Sequence, residues 1–214
     1  MSNPTTIWLA IARFLGVVCP TLFAGVTIQC NTSPRQASHQ NGKLTTFAID
    51  SFILVNPIVA HAPNEKIMAK LWLHAYQLGP YWVPPLILPG TLANSYLAYL
   101  SPVQSWQRLS YICAAAGIFS ILMPITFFIM EPGINGACKW RVQSLLKDEG
   151  FSMPETTLWK PSAHRHGGTQ KSRRWAEKRT MKELVLHWRW MNDIRWILGG
   201  LAGIASGWAT FSSV

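Results

Sequence analysis

Charged residues are scarce in this chain, and acidic residues are the scarcer kind. Of its 214 residues, 13% are charged and 49% are apolar, with 9 Asp and Glu against 19 Lys and Arg. This scarcity excludes an ordinary water-soluble domain and favours a membrane protein. The formal net charge of +10 is compatible with nucleic acid binding, but the basic residues gather mainly in one loop. We therefore interpret them as a membrane topology signal and expect no nucleic acid partner.

The chain also lacks the motifs that hold common cofactors and metals. No G-x-G-x-x-G dinucleotide motif follows a strand, and neither the C-x-x-C-H haem motif nor the H-E-x-x-H zinc motif occurs. His164 and His166 have no partner ligands at zinc-site spacing, and the four cysteines show no paired spacing, which favours buried apolar thiols. We expect no metal and no organic cofactor, although haem ligation by His74 or His187 stays open.

Four long stretches contain no Asp, Glu, Lys or Arg, and each can hold one membrane helix. A bilayer core of roughly 30 Å needs about 20 apolar residues in a helix. We predict an all-α membrane protein, with a four-transmembrane-helix bundle and short additional surface helices in a single membrane domain, 1–214. The predicted spans are residues 7–28, 82–100, 109–130 and 192–211.

The distribution of basic residues predicts the orientation. Between Glu131 and Arg189 there are 12 Lys and Arg against 6 Asp and Glu, so this loop is predicted to be cytosolic, like the loop between the first two spans. Both termini then lie on the opposite side. Within the loop, residues 152–182 have few large apolar side chains, which predicts a flexible, basic segment at the membrane surface. We expect an integral, multi-pass protein of the endoplasmic reticulum or another endomembrane.

The start of the last predicted helix carries the strongest candidate site. Trp188, Asn192 and Arg195 are spaced i, i+4 and i+7, so they share one face, with His187 on the adjoining stripe. Arg195 is followed by Trp-Ile-Leu and should face protein or a water-filled cavity rather than lipid. Trp196 fits an aromatic belt at the membrane surface, and Trp188 fits either a belt or a binding site.

Other candidates lie on the second predicted span and just before it. His74 recurs at helical spacing with Ile67, Leu71 and Leu78, which places it on a predicted apolar stripe, either as a packing residue or as a catalytic one. Asn94 lies within the span, where most amides bond between helices and substrate binding is the alternative.

The third predicted span ends in a polar motif. Glu131 sits where the helix leaves the membrane, and Pro132 and Gly133 are expected to break the helix. Asn135 is then placed to cap the helix that follows. Glu131 is either a solvated carboxylate at the membrane surface or a functional group, and Asn135 is either a cap or a functional group.

Two stretches, EPGINGACKW at residues 131–140 and LHWRWMNDIRW at residues 186–196, resemble the fungal anthrone oxygenase family. Its members are small proteins of four membrane helices, encoded among polyketide pathways. The resemblance implies oxidation of a polyketide-derived anthrone to an anthraquinone with O2, without flavin or metal. The residues that match its motifs are Glu131, Pro132, Asn135, Trp188, Asn192 and Arg195.

Anthrone chemistry gives these residues roles. The acidic benzylic C–H of an anthrone loses a proton to a base, and the resulting anthrolate passes an electron to O2 directly, so O2 is a co-substrate and no redox cofactor is required. His74 and His187 are the candidate bases, because an imidazole titrates near neutrality. Asn192 and Arg195 are the candidates for holding the anthrolate oxygen. The rings expected to stack on the substrate are those of Trp72, Tyr76 and Trp188.

Two alternatives remain at this stage. A base and an oxyanion-binding group would serve a cofactor-free isomerase, cyclase or dehydratase on a related polyketide equally well. The chain is alternatively a non-catalytic membrane scaffold that holds pathway enzymes through its basic loop. The expected partners are a small aromatic polyketide and membrane lipid.

Overall fold

The computed structural model describes residues 4–25, 55–156 and 162–212, and every regular element in these ranges is helical. The all-α class is therefore confirmed. The last part of the first predicted span and most of the loop that follows lie outside the described residues. In chain order the elements are α1 (Pro4–Gly25), α2 (Asn56–His61), α3 (Glu65–Leu100), α4 (Trp106–Ser120), a π-helical segment (Ile121–Asn135), α5 (Gly136–Leu145), a 3-10 turn (Lys147–Glu149), α6 (Gln170–Glu177) and α7 (Met181–Phe211).

Four long helices pack into a bundle. Helix α1 lies against α3 and α7, and α4 lies against the same two helices, so α1 and α4 occupy opposite corners. Glycines let α7 approach α1 closely, as the sequence indicates. A Cβ added at Gly203 would lie 3.1 Å from the hydroxyl of Thr21, and one added at Gly199 would lie 2.8 Å from the Phe23 ring.

Helix α3 is one element where we expected two. The predicted short helix 65–78 and the predicted span 82–100 join into a single helix that begins at the Asn64 cap, whose side chain accepts a hydrogen bond of 2.9 Å from the N–H of Ile67. Four prolines lie inside it. The helix continues through them because a full break within a packed bundle would leave more backbone groups without partners than each proline alone does.

The buried face of α3 also differs from the predicted one. Met68 and Trp72 are buried, whereas Leu71 and Leu78 are more than 40% exposed and His74 lies with them on the outer face. The apolar stripe that we assigned to the core is therefore wrong. The stripe that contains Met68 and Trp72 is buried instead, because burying the large ring of Trp72 removes more apolar surface from water than burying Leu71 or Leu78 would.

The break after the third span occurs where the sequence predicts it. Gly133 has φ −95° and ψ −106°, which is not helical, so the chain kinks there between the π-helical segment and α5. Asn135, however, has helical backbone angles and makes no side-chain cap bond. The cap interpretation is wrong, because its amide hydrogen-bonds to Glu131 instead.

The basic loop 152–182 contains more structure than the flexible segment we expected. It includes α6, which is capped by the Thr169 side chain at 3.2 Å from the N–H of Ser172. His166 is buried and bonds to the chain around residue 155 through its own N–H and C=O. Gly136 and Gly168 allow this loop to touch α5, since a Cβ on Gly136 would lie 2.7 Å from the Gly168 Cα.

Two stretches of the described chain, Thr6–Phe23 and Trp106–Leu145, are long and apolar enough to cross a membrane. The spans predicted at 82–100 and 192–211 lie in α3 and α7, where prolines, glycines and aromatic residues lower the mean hydropathy. All four long helices nevertheless turn large apolar side chains outward. Examples are Trp8, Phe14, Leu92, Tyr99, Leu109, Phe128, Leu201 and Ile204.

Candidate active site

A cavity of about 150 Å³ lies near the end of the bundle at which α3, the π-helical segment and α7 meet. Its wall is largely apolar and includes a part of the 152–182 loop, Ser162 and Ala163. The structure brings most of the predicted site residues together here. Those that line the cavity are Tyr76, Glu131, Asn135, Trp188, Asn192 and Arg195.

The carboxylate of Glu131 is the centre of a buried hydrogen-bond network. Its Oε1 accepts a hydrogen bond from the hydroxyl of Tyr76 and another, at 2.8 Å, from the side-chain amide of Asn135. Its Oε2 accepts from the ammonium of Lys139 at 2.9 Å. Glu131 is 6% exposed and Lys139 is fully buried. Glu131 is therefore not a solvated surface carboxylate, and the functional alternative gains support.

Lys139 is the residue that sequence reasoning missed. Besides its ion pair with Glu131, it donates to the carbonyl oxygen of Ser162 at 3.1 Å and lies 4.7 Å from the ring centroid of Tyr76. A signal was present, because Glu131, Asn135 and Lys139 are spaced i, i+4 and i+8 on one helical face. Because a break was predicted at Pro132 and Gly133, the spacing did not by itself predict a common face for Glu131 and Lys139.

Helix α7 supplies a second group of polar side chains to the cavity wall. The Nη1 of Arg195 donates to Oδ1 of Asn192 at 2.6 Å, and Nδ2 of Asn192 donates to the Trp188 carbonyl at 3.1 Å. The predicted common face of these three residues is confirmed. The amide of Asn192 is thus engaged by Arg195 and by the backbone of its own helix, and the Arg195 guanidinium lies in the cavity wall beside it.

The aromatic residues divide differently from the prediction. Trp188 lines the cavity, and so does Trp196, which is 7% exposed and packs against Phe23 at 4.2 Å between ring centroids. Trp196 is therefore not part of a surface belt. Trp72 lies behind the wall, stacked on Tyr76 at 5.1 Å and 15°, with Trp188 edge-on at 6.0 Å. It supports the wall instead of lining it.

The comparison with known families now decides the classification. The sequence model of the family described as "Anthrone oxygenase" matches residues 72–205. This range covers more than half of the chain and contains every residue that lines the cavity except Phe23. The chain belongs to the anthrone oxygenase family. A search of curated proteins and a search of solved structures each found no match.

Both histidines that we predicted as bases lie away from the cavity of this anthrone oxygenase family member. His187 is exposed on α7, between the rings of Trp175 at 5.0 Å and Trp190 at 5.7 Å. Partial burial lowers its pKa. His74 lines a separate surface cleft with Lys70 and Glu149. Both are misplaced as bases for chemistry in this cavity, since the stripes that carry them turn outward.

Asn94 is also remote from the site. Its Nδ2 donates to the carbonyl oxygens of Gly16 at 3.0 Å and Gly90 at 2.9 Å, so it joins α1 to α3. The interhelical role that such amides usually have is the one observed. Among the described residues, no group of three or more His, Cys, Asp and Glu side chains is close enough to bind a metal ion together.

Among the groups near the site, Tyr76 and His166 have shifted pKa values that bear on its chemistry. Burial, and then the neighbouring Glu131 carboxylate, raise the pKa of Tyr76 well above its usual range, so its phenol stays protonated. Tyr76 lies on α3 before the predicted span 82–100, and so outside the part of the helix that is predicted to cross the membrane. Burial, and then the charge of Lys139, lower the pKa of His166 to about 4, so this histidine is neutral near pH 7. The site thus holds an O–H donor next to a carboxylate acceptor.

Proposed function

We propose that this protein is a membrane oxygenase that converts a polyketide-derived anthrone to an anthraquinone with O2. The observation that carries the proposal is the convergence of a buried carboxylate, Glu131, and a cation, Arg195, on one aromatic-walled cavity in a chain of the anthrone oxygenase family. An anthrone is a flat, apolar tricycle with one carbonyl oxygen and one acidic CH₂ group. Such a cavity offers one partner to each of these parts.

In this proposal Glu131 takes the role that we first gave to a histidine. Among the described residues that line the cavity it is the carboxylate, and an ionised carboxylate has about four lone-pair sites. Tyr76, Asn135 and Lys139 occupy three of them. The remaining site can accept a proton from the substrate CH₂ group.

Arg195 stabilises the anthrolate that forms when this proton leaves. The negative charge of an anthrolate concentrates on its oxygen, and a guanidinium held in place by Asn192 needs little rearrangement to bind it. Trp188 offers a ring face or edge to the tricycle. The electron-rich anthrolate then reacts with O2 directly, so we propose that neither flavin nor metal takes part.

We further propose that all four long helices cross an endomembrane, with the end that holds the cavity on the cytosolic side. The outward apolar side chains of α3 and α7 support the crossing, since soluble monomers seldom expose so many. The excess of Lys and Arg near this end supports the orientation. An apolar tricycle would then enter its cavity from the lipid or its surface.

The first test is O2 uptake by membranes that contain the protein, supplied with a hydroxylated anthrone. Arg195→Ala is expected to lower turnover by about two orders of magnitude, the usual scale for one lost oxyanion donor. Arg195→Lys keeps the charge but not the fork that bonds to Asn192, and should recover part of the activity. Uptake should be insensitive to a metal chelator.

Four results would contradict parts of this proposal. Chelator-sensitive uptake would refute a metal-free reaction. Near-normal turnover of Arg195→Ala would remove the oxyanion role. No uptake above the spontaneous rate would refute the oxygenase, and would favour an isomerase, cyclase or dehydratase, because the same base and oxyanion donor serve reactions that consume no O2. Loss of function on deleting the 161–179 loop alone, with Arg195→Ala mild, would favour a scaffold.

A further inference from the structure

We propose that Tyr76 is a catalytic proton donor in this reaction, which protonates the peroxide oxygens and so drives formation of the quinone and water. The inference rests on the proposed function and gives Tyr76 a role beyond stacking. The inference rests on a geometric observation. Tyr76 lines the cavity, and its hydroxyl is hydrogen-bonded to the carboxylate that we propose as the base.

The position of this hydroxyl is fixed from three sides. Trp72 stacks on the Tyr76 ring at 5.1 Å and 15°, and the ammonium of Lys139 lies 4.7 Å from the ring centroid. Glu131 holds the oxygen itself. A side chain held in this way keeps its hydroxyl oxygen in one place beside Glu131. Once Glu131 has taken the substrate proton, it can donate that proton to the Tyr76 oxygen, and the O–H of Tyr76 is then available to the intermediate.

The proton balance of the reaction requires a donor as well as a base. Glu131 removes the first proton from the CH₂ carbon of the anthrone. The electron pair left on that carbon forms a C–O bond with O2, which is reduced to a peroxide anion attached to the carbon. Tyr76 gives its proton to this anion and recovers one from the protonated Glu131 along their hydrogen bond. The product of this stage is a hydroperoxide.

The same pair completes the second stage. Glu131, ionised again, removes the remaining hydrogen of that carbon as a proton, and the C–H electron pair forms the C=O bond of the quinone. The O–O bond breaks, and hydroxide leaves with a proton from Tyr76. Tyr76 is again reloaded from Glu131. Two protons leave carbon and two enter water, the carbon is oxidised, and O2 supplies the quinone oxygen and the water oxygen.

The experiment measures quinone formed per O2 consumed, with hydroperoxide determined separately, in Tyr76→Phe. This variant keeps the ring and its contacts but removes the donor. We expect O2 uptake to continue while quinone formation falls about a hundredfold or more relative to uptake, the lower range for loss of a general acid, and hydroperoxide to accumulate. Tyr81→Phe is the matched control, because Tyr81 is on the same helix and 73% exposed; it should leave the ratio at one.

A ratio of one in Tyr76→Phe would overturn the proposal, whether total turnover is normal or reduced. If the variant fails to fold, 3-fluorotyrosine at position 76 replaces it, because fluorine makes the phenol more acidic and leaves its size and hydrogen bond nearly unchanged. Breakdown of the hydroperoxide to quinone should then become faster, because the donor is a stronger acid, and an unchanged rate would refute the donor role. A wild-type protein that consumes no O2 would instead refute the proposed function.

Discussion

Glu131 and Lys139 form an ion pair in the interior of the protein, where each charge depends on the other. Taking either charge out of water is costly, and only its partner offsets that cost. We expect Lys139→Met to destabilise the protein by about 3–5 kcal/mol, since it leaves the Glu131 carboxylate buried without its counter-charge. The measurement is the thermal unfolding midpoint in detergent, followed by tryptophan fluorescence.

The double variant separates charge from packing. Lys139→Met combined with Glu131→Leu removes both charges, and should recover most of the lost stability while abolishing O2 uptake. Lys66→Met is the control, because Lys66 pairs with Asp148 in an exposed ion pair and its loss should barely move the midpoint. A double variant as unstable as Lys139→Met would show that the shape of the lysine side chain matters more than its charge.

For single residues, the sequence predicted which side chains share a helical face better than it predicted which of them are buried. The spacing of Trp188, Asn192 and Arg195 predicted their common face, because a helix keeps a fixed period whatever packs against it. His74 was placed on an apolar stripe because Ile67, Leu71 and Leu78 recur with it at helical spacing, and that stripe faces outward. In a helix bundle this rich in apolar residues, both faces of a helix carry apolar side chains. Periodicity alone therefore could not predict which face of α3 is buried, because that depends on where Trp72 packs.

Among the elements, the segment 162–169 is what joins the basic loop to the active site. Ser162 accepts from Lys139, the ring of His166 packs on Trp140 at 3.8 Å, and Gly168 touches α5. The sequence could not reveal this segment. Its contacts are made by backbone atoms, small residues and one histidine, and none of these produces a periodic apolar pattern.

His166 makes the attachment of this segment sensitive to pH. Its pKa is about 4 in the folded protein and about 6.5 in an unfolded chain, so between these values the unfolded state binds more protons. The stabilisation is therefore complete above about pH 6.5 and is lost as pH falls towards 4. We expect the unfolding midpoint to drop between pH 7 and pH 4.5 for this reason.

The variant that checks this is His166→Asn, which keeps an acceptor near the N–H of Gly168 but cannot take up a proton in this range. Its midpoint should depend less on pH than that of the wild type. His164→Asn is the control, because His164 is exposed and two residues away. Equal pH slopes for wild type and His166→Asn would assign the acid sensitivity to other groups.

For the whole molecule, the distribution of charge predicted four long helices because a helix in lipid tolerates almost no charge. The described chain has four long helices, of which Thr6–Phe23 and Trp106–Leu145 are long and apolar enough by composition to cross a membrane. Helices α3 and α7 contribute Tyr76, Trp188, Asn192 and Arg195 to the cavity wall, and their prolines, glycines and polar groups lower their mean hydropathy. Their outer faces remain apolar, with Leu92 69% and Ile204 70% exposed.

Four crossings and two crossings predict different sides for two positions. If α1, α3, α4 with the π-helical segment, and α7 all cross, Val103 lies on the same side as the N-terminus and Lys178 on the opposite side. If only α1 and the Trp106–Leu145 stretch cross, both positions exchange sides.

We expect single cysteines at Val103 and Lys178, in a protein whose native cysteines are replaced by serine, to follow the four-crossing pattern. Labelling with a membrane-impermeant maleimide in sealed vesicles, relative to an N-terminal tag, measures this. Labelling of Val103→Cys opposite the tag would leave α3 and α7 uncrossed, and would place the cavity in an extramembrane part of the bundle.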